Sequence, residues 1–124
     1  MIEANDKSSL QALNERVDRL FPALRQQRRD LHKYAESGWL EFRTSTLVAE
    51  RLDELGYRLQ LGREVIDAES RMGLPTADVL QQQEQRAREQ SAISRWMPTF
   101  SGGVTALVAT LETRTPGPLT ASWV

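Results

Sequence analysis

The single histidine, His32, is the first residue whose type and spacing suggest chemistry. His32 and Glu36 are four residues apart, and on one helix that spacing lets two side chains meet a metal ion or each other. The 124 residues contain no cysteine, and two ligands without a third hold an ion only weakly. The pattern favours a hydrogen-bonded structural histidine over a metal ligand.

Nucleophilic and phosphate-binding sites are also disfavoured. A serine nucleophile needs a base, and His32 is the only histidine in a sequence that lacks a G-x-S-x-G elbow. Gly102 and Gly103 precede a predicted strand, whereas a phosphate loop follows a strand and opens a helix. We therefore expect these two glycines to form a tight turn.

Neighbouring carboxylates could in principle act as an acid and a base. Glu50, Asp53 and Glu54 fall on the predicted exposed face of a helix, so we interpret them as solubilising charges. Packing is the expected role of the three tryptophans, Trp39, Trp96 and Trp123, because no regular spacing aligns them for stacking.

The charge balance argues against binding to nucleic acid. Sixteen basic and 17 acidic side chains give a net charge of −1. The densest basic cluster is neutralised locally by Asp30, Glu36 and Glu41, which favours an ion-paired helix face. That cluster consists of Arg25, Arg28, Arg29, His32 and Lys33.

Composition is that of a folded domain or part of one. No apolar run approaches the roughly 18 residues that a membrane helix needs, so no membrane partner is expected. The first eleven residues are polar and include Glu3 and Asp6, which is unlike a secretory signal and predicts a cytoplasmic location.

Two helices are expected at the start of the chain. Apolar residues spaced by three and four predict a helix from Leu10, capped by Ser8 or Ser9, kinked or divided at Pro22 and stopped by Gly38. A second helix is predicted over residues 44–55. The apolar residues that it should bury are Leu47, Val48, Leu52 and Leu55, and Gly56 should follow it with a positive φ.

The sequence pattern after the second helix predicts strands on both sides of a helical insert. Residues 57–61 alternate between apolar and polar, residues 104–111 are uncharged and should be covered on both faces, and residues 119–124 resume strand character. Residues 63–103 are predicted to hold a loop and then a helix. The order indicates an α/β fold: N-terminal helices, then about three strands of an incomplete parallel or mixed sheet, with a helical insert.

Several segments, in order, carry a family resemblance. Residues 28–38 read RRDLHKYAESG, residues 41–44 read EFRT, and LGY follows at residues 55–57. These segments resemble the N-terminal signature of the dinuclear metallo-amidohydrolases related to hippurate hydrolase and N-acyl-amino-acid amidohydrolases. Residues 62–65 and 70–75 add a likeness to the members that cleave p-aminobenzoyl-glutamate, although Ala35 replaces the proline usual in the family.

The resemblance implies the N-terminal part of a catalytic domain over residues 1–124. The substrate would be p-aminobenzoyl-glutamate or a similar N-acyl amino acid, cleaved with a pair of divalent ions, Mn or Zn, in the full-length protein. The metal ligands of the family would lie beyond residue 124, so this span is expected to hold no catalytic residue and to be inactive alone. A second subunit or a homo-oligomer is a further expectation.

The signature residues are expected to be structural. By the resemblance, Arg28, Arg29, His32, Glu36 and Gly38 would lock the first helix against the sheet through hydrogen bonds and a charge-assisted contact. The isolated chain is expected to be marginally stable, to self-associate or to need the rest of its domain, because few strands would leave an open sheet edge. The alternative is a small helical interaction module that docks the Leu10–Leu24 stripe on a partner helix and needs no sheet.

Overall fold

The computed structural model describes residues 2–117 and 122–123, and the chain divides into two compact units, residues 1–35 and 36–124. The first unit contains one helix, α1 (Ile2–Lys33). The predicted cap at Ser8 or Ser9 is wrong, because the preceding residues lack glycine and proline and the helix begins at Ile2. Pro22 lies inside α1 and does not divide it.

The second unit begins with a connection that leads into α2 (Phe42–Glu54). This helix starts two residues before the predicted position and ends as the Leu-Gly pair predicts. Gly56 has a φ of +83°, its N–H donates to the carbonyl of Asp53, and the N–H of Tyr57 donates to the carbonyl of Leu52. These two bonds satisfy two of the terminal carbonyls of α2 in a Schellman arrangement.

The described strands form an antiparallel sheet in the order β1 (Arg58–Leu61), β2 (Leu107–Thr110) and β3 (Ser122–Trp123). Leu59 pairs with Ala109 and Leu61 with Leu107, while two residues of β3 pair with β2. Residues 119–121 and 124 of the predicted third strand lie outside the described residues.

The parallel or mixed sheet predicted from the sequence is therefore wrong for these pairings. Leu107 and Ala109 are buried, whereas Val108 and Thr110, which point to the other face, are only half-buried. The lack of charge in this run suggested two covered faces. It reflects one buried face and one partly covered face, as an antiparallel sheet allows.

The segment between β1 and β2 contains the predicted loop and helix. Two short 3₁₀ turns, Gly62–Glu64 and Ala68–Ser70, precede α3 (Ala77–Glu89) and α4 (Met97–Phe100). This segment also builds the core, because five of its side chains pack with Phe42, Ala49 and Leu107. Those five are Leu80, Ala87, Ala92, Met97 and Phe100.

Gly62 is a position where only glycine fits. Its φ is +58°, and a Cβ added there would lie 2.5 Å from the carbonyl oxygen of Thr99. The backbone of β1 can therefore turn directly into the first 3₁₀ turn while α4 packs against it.

Candidate functional site

Glu36 caps α2 from outside the helix. Its Oε2 accepts the backbone N–H of Arg43 at 2.8 Å, and its Oε1 accepts both the N–H and the hydroxyl of Thr44 at 2.8 Å. Arg43 and Thr44 are the second and third residues of α2, whose N–H groups have no partner within a helix. The N-cap residue, Glu41, makes no side-chain cap bond, so Glu36 supplies it, with its charge at the positive end of the helix dipole.

The structure does not place His32 and Glu36 on one helix. Helix α1 ends at Lys33, so the spacing of four no longer aligns these two side chains. Arg28 and Arg29 share α1 with His32, whereas Glu36 and Gly38 belong to the second unit. That the five residues together lock α1 against the sheet stays a prediction.

Gly38 does not act as the predicted stop of the first helix, which ends five residues earlier. Its φ is not positive, and a Cβ added there would meet nothing within 4 Å. Gly38 instead lines the edge of a cavity described next.

A mainly apolar cavity of about 440 Å³ lies beside the first turns of α2, in the second unit. The residues that line it come from the connection before α2, from α2 itself, from Ile66 and from the start of β2. They include Trp39, Glu41, Ser45, Val48, Ile66 and Leu107. The volume is within the usual range of small-molecule sites, roughly 300–1,000 Å³.

The polar groups of this cavity are joined by hydrogen bonds. Thr105 Oγ1 donates to Glu41 Oε2 at 2.8 Å, and Ser45 Oγ donates to the Thr105 carbonyl at 2.8 Å. Thr44, also on the wall, donates its hydroxyl to Glu36. The threonine and serine protons are therefore engaged, and the Glu41 carboxylate is the charged group of the wall.

Trp39 has a constrained backbone at the rim of the cavity. Its φ is +66°, a conformation that costs a bulky residue energy and persists only where surrounding contacts hold it. Trp39 Nε1 donates to the Met72 carbonyl at 2.8 Å, and the guanidinium of Arg71 lies 5.9 Å from its ring centroid. These contacts fix the indole, in addition to the packing role predicted from the sequence.

The expectation that these carboxylates lie on an exposed helix face is confirmed for Asp53 and Glu54, whereas Glu50 is half-buried, and both Glu50 and Asp53 pair with Arg95. Glu50 Oε2 accepts Nε1–H of Trp96 at 2.6 Å and Nε–H of Arg95 at 2.7 Å, while Asp53 Oδ2 accepts from the same guanidinium at 2.8 Å. The Trp96 hydrogen bond, and then Arg95, lower the pKa of Glu50. The partners of Glu50 and Asp53 lie more than 40 residues away in the sequence, so no local pattern could predict these contacts. Glu54 forms an exposed ion pair with Arg51 of the same helix.

Arg43 makes a second long-range contact that the sequence did not indicate. The residue is only 5% exposed, and its Nε donates to the carbonyl of Gln90 at 2.7 Å. Gln90 is the C-cap of α3, so the guanidinium lies at the negative end of that helix. The contact ties α2 to the end of α3.

The turn at Gly102 and Gly103 is confirmed. Both glycines have positive φ, and Glu84 of α3 accepts hydrogen bonds from the Gly102 N–H and the Ser101 hydroxyl. The Gly102 carbonyl accepts from Arg71 Nη1 at 2.7 Å. This turn fixes the approach to β2.

Within residues 2–117 and 122–123, no group of three or more histidine, cysteine, aspartate or glutamate side chains could hold a metal ion. Over the same residues, no helix has the length and apolar character needed to cross a membrane.

Comparison with known proteins gives the class: the chain is homologous to hydrolases of acyl amino acids, as the signature predicts. The particular relatives are a p-aminobenzoyl-glutamate hydrolase subunit of Escherichia coli K12, 55% identical over 90% of this chain, and indole-3-acetyl-aspartic acid hydrolase of Enterobacter agglomerans, 58% identical over 86%. The chain spans about a quarter of the length of these relatives, 26% and 24%. No family model matches it.

A solved structure agrees with the sequence matches. The aminobenzoyl-glutamate utilization protein of Klebsiella pneumoniae superposes with a TM-score of 0.82 at 57% identity. The match covers 85% of this chain and 27% of that protein. At this TM-score, the matched part of this chain shares its backbone fold with that protein.

Proposed function

We propose that this chain forms the N-terminal part of the catalytic domain of a metal-dependent amidohydrolase that cleaves p-aminobenzoyl-glutamate or a similar N-acyl amino acid. The observation that carries this proposal is 55–58% identity to two hydrolases over most of the chain. Both are named for an aromatic acyl group joined to an acidic amino acid, glutamate in one and aspartate in the other.

In the proposed whole protein, the metal ligands come from residues beyond 124. A bound divalent ion would supply polarisation of the amide carbonyl and a lower pKa for its bound water. The described residues do not form such a site, so we assign no catalytic step to them. Their role is to build the frame in which Glu36 fixes the start of α2 and Arg43 fixes the end of α3.

A chimera tests the proposal directly. The segment of the Escherichia coli protein that matches this chain would be replaced by the chain itself, and hydrolysis of p-aminobenzoyl-glutamate would be followed by release of p-aminobenzoate. The assay would use conditions in which the unaltered Escherichia coli protein is active. We expect hydrolysis that depends on Mn²⁺ or Zn²⁺ and is lost with a chelator, and no hydrolysis by the 124-residue chain alone.

Two outcomes would contradict the proposal. One is a chimera that folds, as judged by its circular dichroism, yet cleaves none of the N-acyl amino acids offered. The other is metal-dependent hydrolysis by the 124-residue chain without any further protein. A matched control is the chimera carrying Glu54→Gln, because this exposed residue pairs with Arg51 on the surface and should not alter turnover.

The helical interaction module is the weaker alternative. That function needs no sheet, whereas residues 58–61 and 107–110 pair as strands. The divalent metal pair, the second subunit or homo-oligomer and the cytoplasmic location remain predictions.

A further inference from the structure

We propose that the cavity beside α2 binds an aromatic ring that carries an N–H donor, with the Glu41 carboxylate as the acceptor of that hydrogen. This inference rests on the proposed function and narrows its substrate class. The ligand is the aryl part of an aryl-acyl amino acid, such as an aminobenzoyl or an indolyl group.

The wall of the cavity suits a flat apolar group. Val48, Ile66 and Leu107 supply aliphatic surface from three separate segments, and Trp39 adds an aromatic residue at the rim. Because the Trp39 indole is held by the Met72 carbonyl, the rim does not need to be ordered when a ligand enters. Preorganisation of this kind reduces the entropic cost of binding.

Glu41 supplies a directional polar contact. Its Oε2 already accepts from Thr105, but a carboxylate has about four lone-pair positions on two oxygens, so it can accept further hydrogens. A hydrogen bond to a carboxylate is charge-assisted and stronger than one between neutral groups. The Thr105 bond also holds the carboxylate in place at the cavity wall.

The remaining polar side chains of the wall are uncharged. Ser45 donates to the Thr105 carbonyl and Thr44 donates to Glu36, so their hydroxyl oxygens can accept a ligand hydrogen only as neutral acceptors, which form weaker bonds than the Glu41 carboxylate. The cavity therefore presents one charged acceptor within an apolar wall. Such a site favours a ring with an N–H over the same ring without it.

The two named relatives share this ligand feature. An aminobenzoyl group and an indole-acetyl group differ in ring size and in the linker to the amide, and the attached amino acids differ as well. What the two aryl groups have in common is an aromatic ring with an N–H that lies away from the scissile amide. One carboxylate can accept that hydrogen in both.

Binding of paired neutral amides to the 124-residue chain tests the proposal. Within each pair, only one member carries an N–H on its aromatic group. The pairs are p-aminobenzamide with benzamide and indole-3-acetamide with 1-naphthaleneacetamide. Binding would be measured by titration while the protein amide signals are followed by NMR. We expect the N–H member of each pair to bind at least about 10-fold more tightly, as one hydrogen bond to a charged group implies. The shifted amides should cluster around residues 38–48 and 105–107.

The variant Glu41→Gln adds a second test. It should reduce the affinity for p-aminobenzamide toward that for benzamide, because the glutamine amide oxygen is an uncharged acceptor, and leave benzamide unchanged, while Glu54→Gln should change neither. Equal affinity within each pair of the unaltered chain, no binding, or shifts confined to other regions would each overturn the inference. The comparison of ligands on the unaltered chain needs no variant to fold.

The two proposals fail separately. If the chimera hydrolyses p-aminobenzoyl-glutamate but the pairs do not differ in affinity, the aryl site is wrong and the proposed function stands. If the pairs differ as expected but no folded chimera hydrolyses any N-acyl amino acid, the proposed function is wrong.

Discussion

Replacement of Glu36 by alanine removes the side chain that caps α2. Three donors lose their acceptor at once: the N–H groups of Arg43 and Thr44 and the hydroxyl of Thr44, all 2.8 Å from the carboxylate. Arg43 is buried, so its N–H is poorly placed to find water in exchange. The favourable charge at the helix N-terminus is lost as well.

The expected cost follows from general values. Loss of an N-cap side chain costs about 0.5–2 kcal/mol, and a half-buried carboxylate with three bonds belongs at the upper end of that range. We therefore expect Glu36→Ala to lower the free energy of unfolding by about 2 kcal/mol. Glu36→Gln keeps one acceptor oxygen but directs an NH₂ group at a backbone donor, so its cost should be smaller, about 1 kcal/mol.

Urea unfolding followed by far-ultraviolet circular dichroism measures these differences, with Glu54→Ala as the control that should remain within about 0.5 kcal/mol of the parent. Amide exchange of Thr44 should also increase in Glu36→Ala, because its N–H is exposed when the cap is lost. A Glu36→Ala variant as stable as the control would refute the capping role.

Two further predictions concern a close backbone contact and a titrating side chain. Gly62→Ala should destabilise more than Gly56→Ala, since both have positive φ but only at Gly62 would a Cβ lie against a carbonyl, that of Thr99; equal urea midpoints would contradict this. The lowered pKa of Glu50, caused first by Trp96, stabilises the fold above pH 4.5, its usual pKa, and that stability is lost as the pH falls through the lower folded value. Glu50→Gln should flatten this acid-side loss in urea midpoints measured from pH 3 to 7, and an unchanged slope counts against the mechanism.

The parts of the fold that the sequence predicted correctly are those set by neighbouring residues. The Leu-Gly pair fixes the end of α2 through the backbone freedom of Gly56. The alternation in β1 also matches the structure, with Leu61 buried and Arg58 and Gln60 exposed. Turn-forming residues and the alternation of side chains act within a few residues, so these features can be predicted from a single sequence.

Several of the errors come from interactions between distant segments. Nothing in residues 34–37 stops a helix, yet α1 ends at Lys33 and the Glu36 carboxylate binds α2 instead. In the same way, Arg95 gives Glu50 and Asp53 a structural role from more than 40 residues away. The cavity likewise combines α2 with the start of β2, about 60 residues later. The spacing of neighbouring residues cannot predict these long-range contacts.

The hydroxyl of Thr46 couples two segments more closely than their separation in the chain suggests. This fully buried group donates to the Arg43 carbonyl at 2.8 Å and accepts the Ile93 N–H at 3.0 Å. The Ile93 hydrogen can therefore meet solvent only when the second turn of α2 separates from the loop after α3. We therefore expect the two segments to open together as one cooperative unit, so that a substitution that destabilises one segment also destabilises the other.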